Sequence, residues 1–171
     1  MLPRPAPDEH APYFSTYIDQ VPDGDITELL ATQVEQTIRL LAAVAPERET
    51  YRYAPGKWSV REVIGHVIDT ERVFAARALW FARKAEGAMP SMDQNPWAAT
   101  SNAGARPLAD LIAELRAVRE ASLALFASFD DEIWLRRGVA SGNEFTVRAI
   151  AWIIAGHERH HRAILQREYG L

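Results

Sequence analysis

The chain has 171 residues, 48% hydrophobic and 25% charged, with a net charge of −4, a profile that favours one globular domain large enough to bury its own core. It contains no cysteine, which excludes disulfides, thiolate metal ligands and a cysteine nucleophile. No Lys/Arg block stands out and no apolar run reaches the roughly 18 residues of a membrane span, so neither a nucleic-acid nor a membrane partner is expected.

Residues 1–24 contain five prolines and read as an irregular arm, with Tyr13, Phe14, Tyr17 and Ile18 available to pin it to a bundle formed by residues 25–171. The opening residues lack the apolar stretch of a signal peptide, so a cytoplasmic location is expected. A first helix is predicted over residues 25–44. Asp25 caps it, and Ile26, Leu30, Val34, Thr37, Leu41 and Val44 form one mainly apolar stripe. A second starts at the S-x-x-E capping box of Ser59 and Glu62, with Trp58 and Val63 in hydrophobic-staple positions, and runs to about Lys84. Residues 86–106 form a long connection, and such loops are often functional. Pro107 suits the first turn of a third helix, whose apolar face carries Leu108, Leu111, Ile112, Leu115, Val118, Leu125 and Phe129. A turn at 131–136 and a loop at 138–143 lead to a fourth helix from Thr146 to about Glu168. The expected fold is an all-α, up-and-down four-helix bundle, in which the second and fourth long helices would be parallel and diagonal.

Histidine replaces aliphatic residues on the inward stripe of the last helix, which reads Ile150, Ile154, His157, His161 and then Ile164 or Leu165. Residues four apart share a helix face, so both rings can reach one ion. A single histidine on an apolar face is ordinarily a buried, hydrogen-bonded ring. Two at this spacing would need several polar partners inside the core. His66 lies on the inward face of the second helix, beside Val63, Val67 and Thr70. The string His157-Glu158-x-x-His161 matches the H-E-x-x-H of zinc peptidases. Only ten residues follow it, so a third ligand must come from upstream, which points to His66. His160 is an alternative to His161, and His10 in the arm is expected to be exposed. Asp69 and Glu62 are candidates to orient the His66 ring. Arg72, Arg77 and Arg162 are candidates to bind an anionic substrate, although surface arginines are the simpler reading. Trp58, Trp134 and Trp152 are expected in the core.

The run Tyr53-Ala-Pro-Gly-Lys-Trp-Ser-Val-Arg-Glu-Val-Ile-Gly-His66-Val-Ile-Asp-Thr-Glu-Arg72 resembles the second helix of the DinB/YfiT-like superfamily of metal-dependent enzymes. Gly156-His-Glu-Arg-His-His161 resembles its closing helix, and the segment from Pro90 to Trp97 is similar to a family loop. The resemblance implies a four-helix bundle holding a divalent ion, zinc or nickel, on His66, His157 and His161. It implies a thiol-dependent S-transferase or a metal-dependent hydrolase acting on a small molecule, with a low-molecular-weight thiol as a possible cosubstrate. A homodimer is expected from the resemblance and from the five tryptophans. Glu158 is the candidate general base, although it lies about 100° round the helix from His157. The competing reading is a non-catalytic metal- or ligand-binding module with a structural or stress-response role.

Overall fold

A computed structural model describes residues 3–171, so Met1 and Leu2 of the arm lie outside the described residues. The arm contains one short helix, α1 (Ser15–Ile18). The four long helices are α2 (Ile26–Ala42), α3 (Val60–Ala82), α5 (Leu108–Ala127) and α7 (Val147–Tyr169). Between them lie two short helices, α4 (Gln94–Thr100) and α6 (Asp131–Trp134), and a hairpin of β1 (Arg137–Ala140) and β2 (Asn143–Thr146).

Local chemistry sets the helix starts. The Asp25 carboxylate accepts from the backbone N–H groups of Thr27 and Glu28, and Ser59 with Glu62 closes the expected capping box on α3. The Thr146 hydroxyl accepts from Ala149 N. Pro107 stands one residue earlier than expected, at the cap of α5 rather than inside its first turn. In place of the loop expected at 138–143, a tight turn joins β1 and β2. Ser141 and Gly142 both take positive φ (53° and 74°), the combination that matches the twist of two-residue hairpins.

The expected all-α four-helix bundle is present, with only this small two-stranded sheet among the described residues. Its path is not a simple alternation. The core has two ends. One gathers the start of α2, the ends of α3 and α5 and the start of α7. The other gathers the end of α2, the starts of α3 and α5 and the end of α7. Hence α3 and α5 run one way while α2 and α7 run the other. The chain segment 83–107, which contains α4, carries the chain back along the bundle and makes α5 parallel to α3. The second and fourth long helices, α3 and α7, are therefore antiparallel and pack side by side rather than on a diagonal. No helix among the described residues is long and apolar enough to cross a membrane.

The arm is ordered by its contacts. Phe14 packs edge-on against Phe74 and Phe145, and Ile18 is buried. Arg4 lies over the Trp152 ring and donates to the carbonyls of Ile18 and Val21. Helix α1 approaches α7 so closely that a Cβ at Gly156 would sit 2.2 Å from the Tyr17 carbonyl oxygen, which explains glycine beside His157. His10, expected at the surface, is buried at 8% exposure, its Nδ1 3.0 Å from the Ala11 carbonyl, because the arm folds back on the bundle.

Glu9 anchors the arm, accepting from the Thr146 hydroxyl, the Arg148 guanidinium and the Ala6 N–H. Burial pushes its carboxyl up, but Arg148, Ala6 and Thr146 outweigh burial and hold it below its usual value. The stabilisation is thus complete at neutral pH and is lost as the pH falls through the depressed native pKa. Glu9→Gln is expected to cost about 2 kcal/mol at neutral pH. The gap to wild type should close under acid, which chemical denaturation at several pH values would measure.

Candidate metal centre

His66 sits seven residues into α3, at the level where the antiparallel α7 presents His157 and His161. Helical spacing stacks the last two on one face. The Nε2 atoms of His66 and His157 are 3.0 Å apart, and those of His157 and His161 are 3.1 Å apart. The three ligand nitrogens all lie within 4.8 Å of one another. His160, on the flank, stacks edge-on with Tyr17 and His161 and stands outside this cluster.

This geometry fits a cation better than a hydrogen-bonded cluster. A neutral imidazole Nε2 either donates one proton or accepts through one lone pair. His157 Nε2 faces two other ring nitrogens, so tautomers alone satisfy at most one of those contacts. Three nitrogens at about 2.0–2.1 Å from a tetrahedral ion would stand about 3.3 Å apart, close to the spacing here. Burial, helped by His160, pushes the His66 pKa down to about 4, and burial, with His66 and His160, pushes His161 down to about 3. Burial, His161 and His66 push His157 well below its ordinary value. All three rings are therefore neutral and able to ligate at physiological pH.

The neighbours of the rings differ from the expected carboxylates. The Thr70 hydroxyl, one turn on, stands 3.4 Å from His66 Nδ1 and leaves Nε2 facing the centre. Glu62 is held by its cap and by Arg52, and Asp69 lies 3.8 Å from Arg72. Trp58, expected in the core, packs on the His66 ring at 4.8 Å and lines a pocket. Trp134 and Trp152 are in the core as expected. Gly65 lets Ala103 approach α3 beside His66, where an added Cβ would meet the Ala103 Cβ at 2.5 Å.

Glu158 faces away from the centre. Its carboxylate accepts from Gln33, from Thr37 and from Arg119, at 2.7 Å to Gln33 and to Arg119. Arg119 also makes a two-pronged pair with Glu71 at 2.8 Å and donates to the Leu30 carbonyl. Arg119 and Glu71 were absent from the sequence expectations. The available signal was spacing, because Arg119 falls four residues after Leu115, and Glu71 four after Val67, on apolar stripes.

Two cavities flank the centre. One of about 460 Å³ is bordered by His66, His157, Thr70, Tyr17, Phe74 and Arg77. Another of about 250 Å³ is bordered by His161, Trp58, Lys57, Tyr53 and Tyr169. Asn95, on α4, lines both. Of the three arginines considered for anion binding, Arg72 is paired with Glu114, Arg162 faces the Gln33 carbonyl and the Thr37 hydroxyl, and Arg77 reaches the larger cavity.

The fold and the histidine cluster together define a class of helical bundles with a candidate three-histidine metal centre. The sequence profile described as the DinB superfamily matches residues 28–165, and the chain belongs to that superfamily. Among solved structures it is similar to YfiT from Bacillus subtilis, described as a probable metal-dependent hydrolase with an unusual four-helix bundle topology. The TM-score is 0.68 and the identity 18%, over 97% of this chain and 93% of that one. It is also similar to a mycothiol-dependent maleylpyruvate isomerase, with a TM-score of 0.70 and 14% identity, over 85% of this chain and 61% of that longer one. The DinB-like protein YjoA from Bacillus subtilis matches with a TM-score of 0.60 and 19% identity, over 83% of this chain and 87% of that one. At these identities the likeness concerns the fold. No curated protein sequence matches the chain.

If the three histidines hold an ion, His66→Ala, His157→Ala and His161→Ala should each bring the metal content of the purified protein close to zero. Circular dichroism should remain helical, because none of the three supports a helix end. His160→Ala should keep its metal.

Proposed function

We propose that this protein is a metal-dependent enzyme, a thiol-dependent S-transferase whose divalent ion, zinc or nickel, is held by His66, His157 and His161. The observation that carries the reading is the pair of cavities bordering the histidine cluster, one at His66 and His157 and the other at His161, with space for a small molecule in each. A divalent ion bound by three neutral imidazoles keeps its full charge and an open position, and so lowers the pKa of a bound thiol or water. The chain has no cysteine, so the reactive sulfur would have to come from a cosubstrate. The mycothiol dependence of one structural relative agrees with this.

The chain's own residues supply position and shielding. Thr70 and Trp58 fix the His66 ring, and Tyr17 covers His157 edge-on at 5.4 Å. Phe14, Phe74 and Tyr17 line the larger cavity and limit water there. Asn95 lines both cavities.

The second reading is hydrolysis, favoured by the description of YfiT. A hydrolase gains from a carboxylate near the centre to take a proton from water. Glu158 is the candidate by sequence, but its oxygens are committed to Arg119, Gln33 and Thr37. That arrangement supports a role in holding His157 in place rather than as a base.

Two measurements separate these readings. The metal-loaded protein, screened with low-molecular-weight thiols and electrophiles, should consume thiol and electrophile together. Turnover without any thiol would establish the hydrolase instead. Glu158→Gln should retain the metal. If Glu158 positions His157, activity should fall by roughly tenfold with an unshifted pH profile, within the range expected for a supporting partner of a metal ligand. Loss of the acidic limb of that profile would make it the base.

A further inference from the structure

We propose that Arg77 is an anion-recognition residue, and that the larger cavity takes a small organic carboxylate with an apolar body, its charged end on Arg77. The inference rests on the reading of that cavity as the substrate site, and it adds the class of substrate.

Arg77 is only 4% exposed, yet its guanidinium borders the cavity shared with His66 and His157. A guanidinium has five N–H donors. Nη2 donates to the Pro90 carbonyl at 2.8 Å and to the Ser141 hydroxyl at 2.9 Å. Nε is buried with no hydrogen-bond partner, and among the described residues Nη1 makes no hydrogen bond either. Among the described residues, no carboxylate forms an ion pair with it. The one acid lining this cavity, Asp93, is exposed and accepts from the Asn95 N–H at the start of α4. Burial without a compensating charge lowers the Arg77 pKa from its usual value.

Among the described residues the other buried arginine, Arg119, has two carboxylates, and the part-buried Arg148 has Glu9. A buried guanidinium with unused donors is costly and calls for a partner. At Arg77 the place for that partner is the cavity. The surroundings hold the group in position. Ser141 sits in the hairpin turn, whose backbone is tied to Met89 by two hydrogen bonds, and the Phe74 ring stacks at 5.0 Å.

The anion's chemistry follows from the walls. Phe14, Phe74 and Met92 surround the space between Arg77 and the histidines, which suits an apolar chain. His66, Thr70, Phe74 and Arg77 follow one face of α3, and 11 residues at 1.5 Å separate its ends by roughly 16 Å of helix. The arginine side chain leans back toward the helix start and shortens that gap. A molecule several bonds long would thus place its carboxylate on Arg77 and its other end beside the histidines. Inorganic phosphate would leave the apolar walls uncovered.

Calorimetric titration of the metal-free full chain tests this without depending on the metal or on turnover. The probes are hexanoate, hexanamide and inorganic phosphate. Hexanoate should bind more tightly than hexanamide by roughly tenfold or more, as expected for hydrogen bonds to a charged group. Arg77→Met should abolish that preference, with circular dichroism checking the fold. His161→Ala, which removes a candidate metal ligand that does not border this cavity, should leave it intact. Ser141→Ala, which removes one of the two bonds anchoring the guanidinium, should weaken hexanoate several-fold and leave hexanamide unchanged. It decides the matter if Arg77→Met does not fold. Equal binding of acid and amide, no binding of either, an unaltered preference in the folded Arg77→Met protein, or hexanoate binding unmoved by Ser141→Ala would each overturn the proposal. Phosphate binding tighter than hexanoate would overturn the carboxylate assignment.

Discussion

The bundle is tied together at one buried guanidinium. Arg119, on α5, pairs with Glu71 on α3 and Glu158 on α7, and donates to the Leu30 carbonyl on α2. One side chain therefore contacts all four long helices, and it does so at 0% exposure. Burial acts to lower its pKa, but Glu158 and Glu71 outweigh it and raise the pKa above the usual arginine value. A buried network of this kind is not a stability device in the way an apolar core is, because the desolvation of its members offsets much of their attraction. What it fixes is relative position. Two hydrophobic helices can slide past each other by a turn at modest cost, but a guanidinium bonded to both carboxylates cannot follow such a slide.

That constraint matters because the histidine centre is assembled from two helices. His157 and His161 are correctly spaced by their own helix, whatever α3 does. His66 meets them only if α3 and α7 hold one register, and a shift of one turn, about 5.4 Å, would exceed the 3.0 Å between His66 and His157. The Arg119 network sits beside the centre and sets that register.

The sequence reveals the four long helices because each carries an apolar stripe of the right period, and three of them also carry a side-chain cap, at Asp25, Ser59 and Thr146. Helix α5 has no such cap and starts behind Pro107. The sequence reveals the histidines for the same reason, since a polar ring on an apolar stripe is conspicuous. The path of the chain is not legible in this way. Periodicity tells which face of a helix is buried but not which helix it meets, and the return of segment 83–107 along the bundle depends on tertiary contacts such as Ala103 against Gly65. Arg119 and Glu71 are also hidden, and Arg77 is legible only as one of three candidate anion-binding arginines, with a surface position the simpler reading. A charged residue at an apolar-stripe position reads as a solvated flank until its partner on another helix is known. His10 shows the converse, since a proline-rich arm gives no sign of the surface onto which it folds.

The same geometry relates the centre to its support. On α3, Thr70 contacts the His66 ring, and the next residue, Glu71, turns about 100° away to reach Arg119. On α7, His157 belongs to the cluster, and the next residue, Glu158, turns away to the same guanidinium. Each helix thus presents one face to the cavity and the adjacent face to the tie. Continuing along the cavity face of α3 leads past Phe74 to Arg77, the buried cation that has no such carboxylate. Helix α3 therefore carries a paired charge toward the core and an unpaired one toward the cavity. The carboxylate missing from the second is what an incoming substrate would bring.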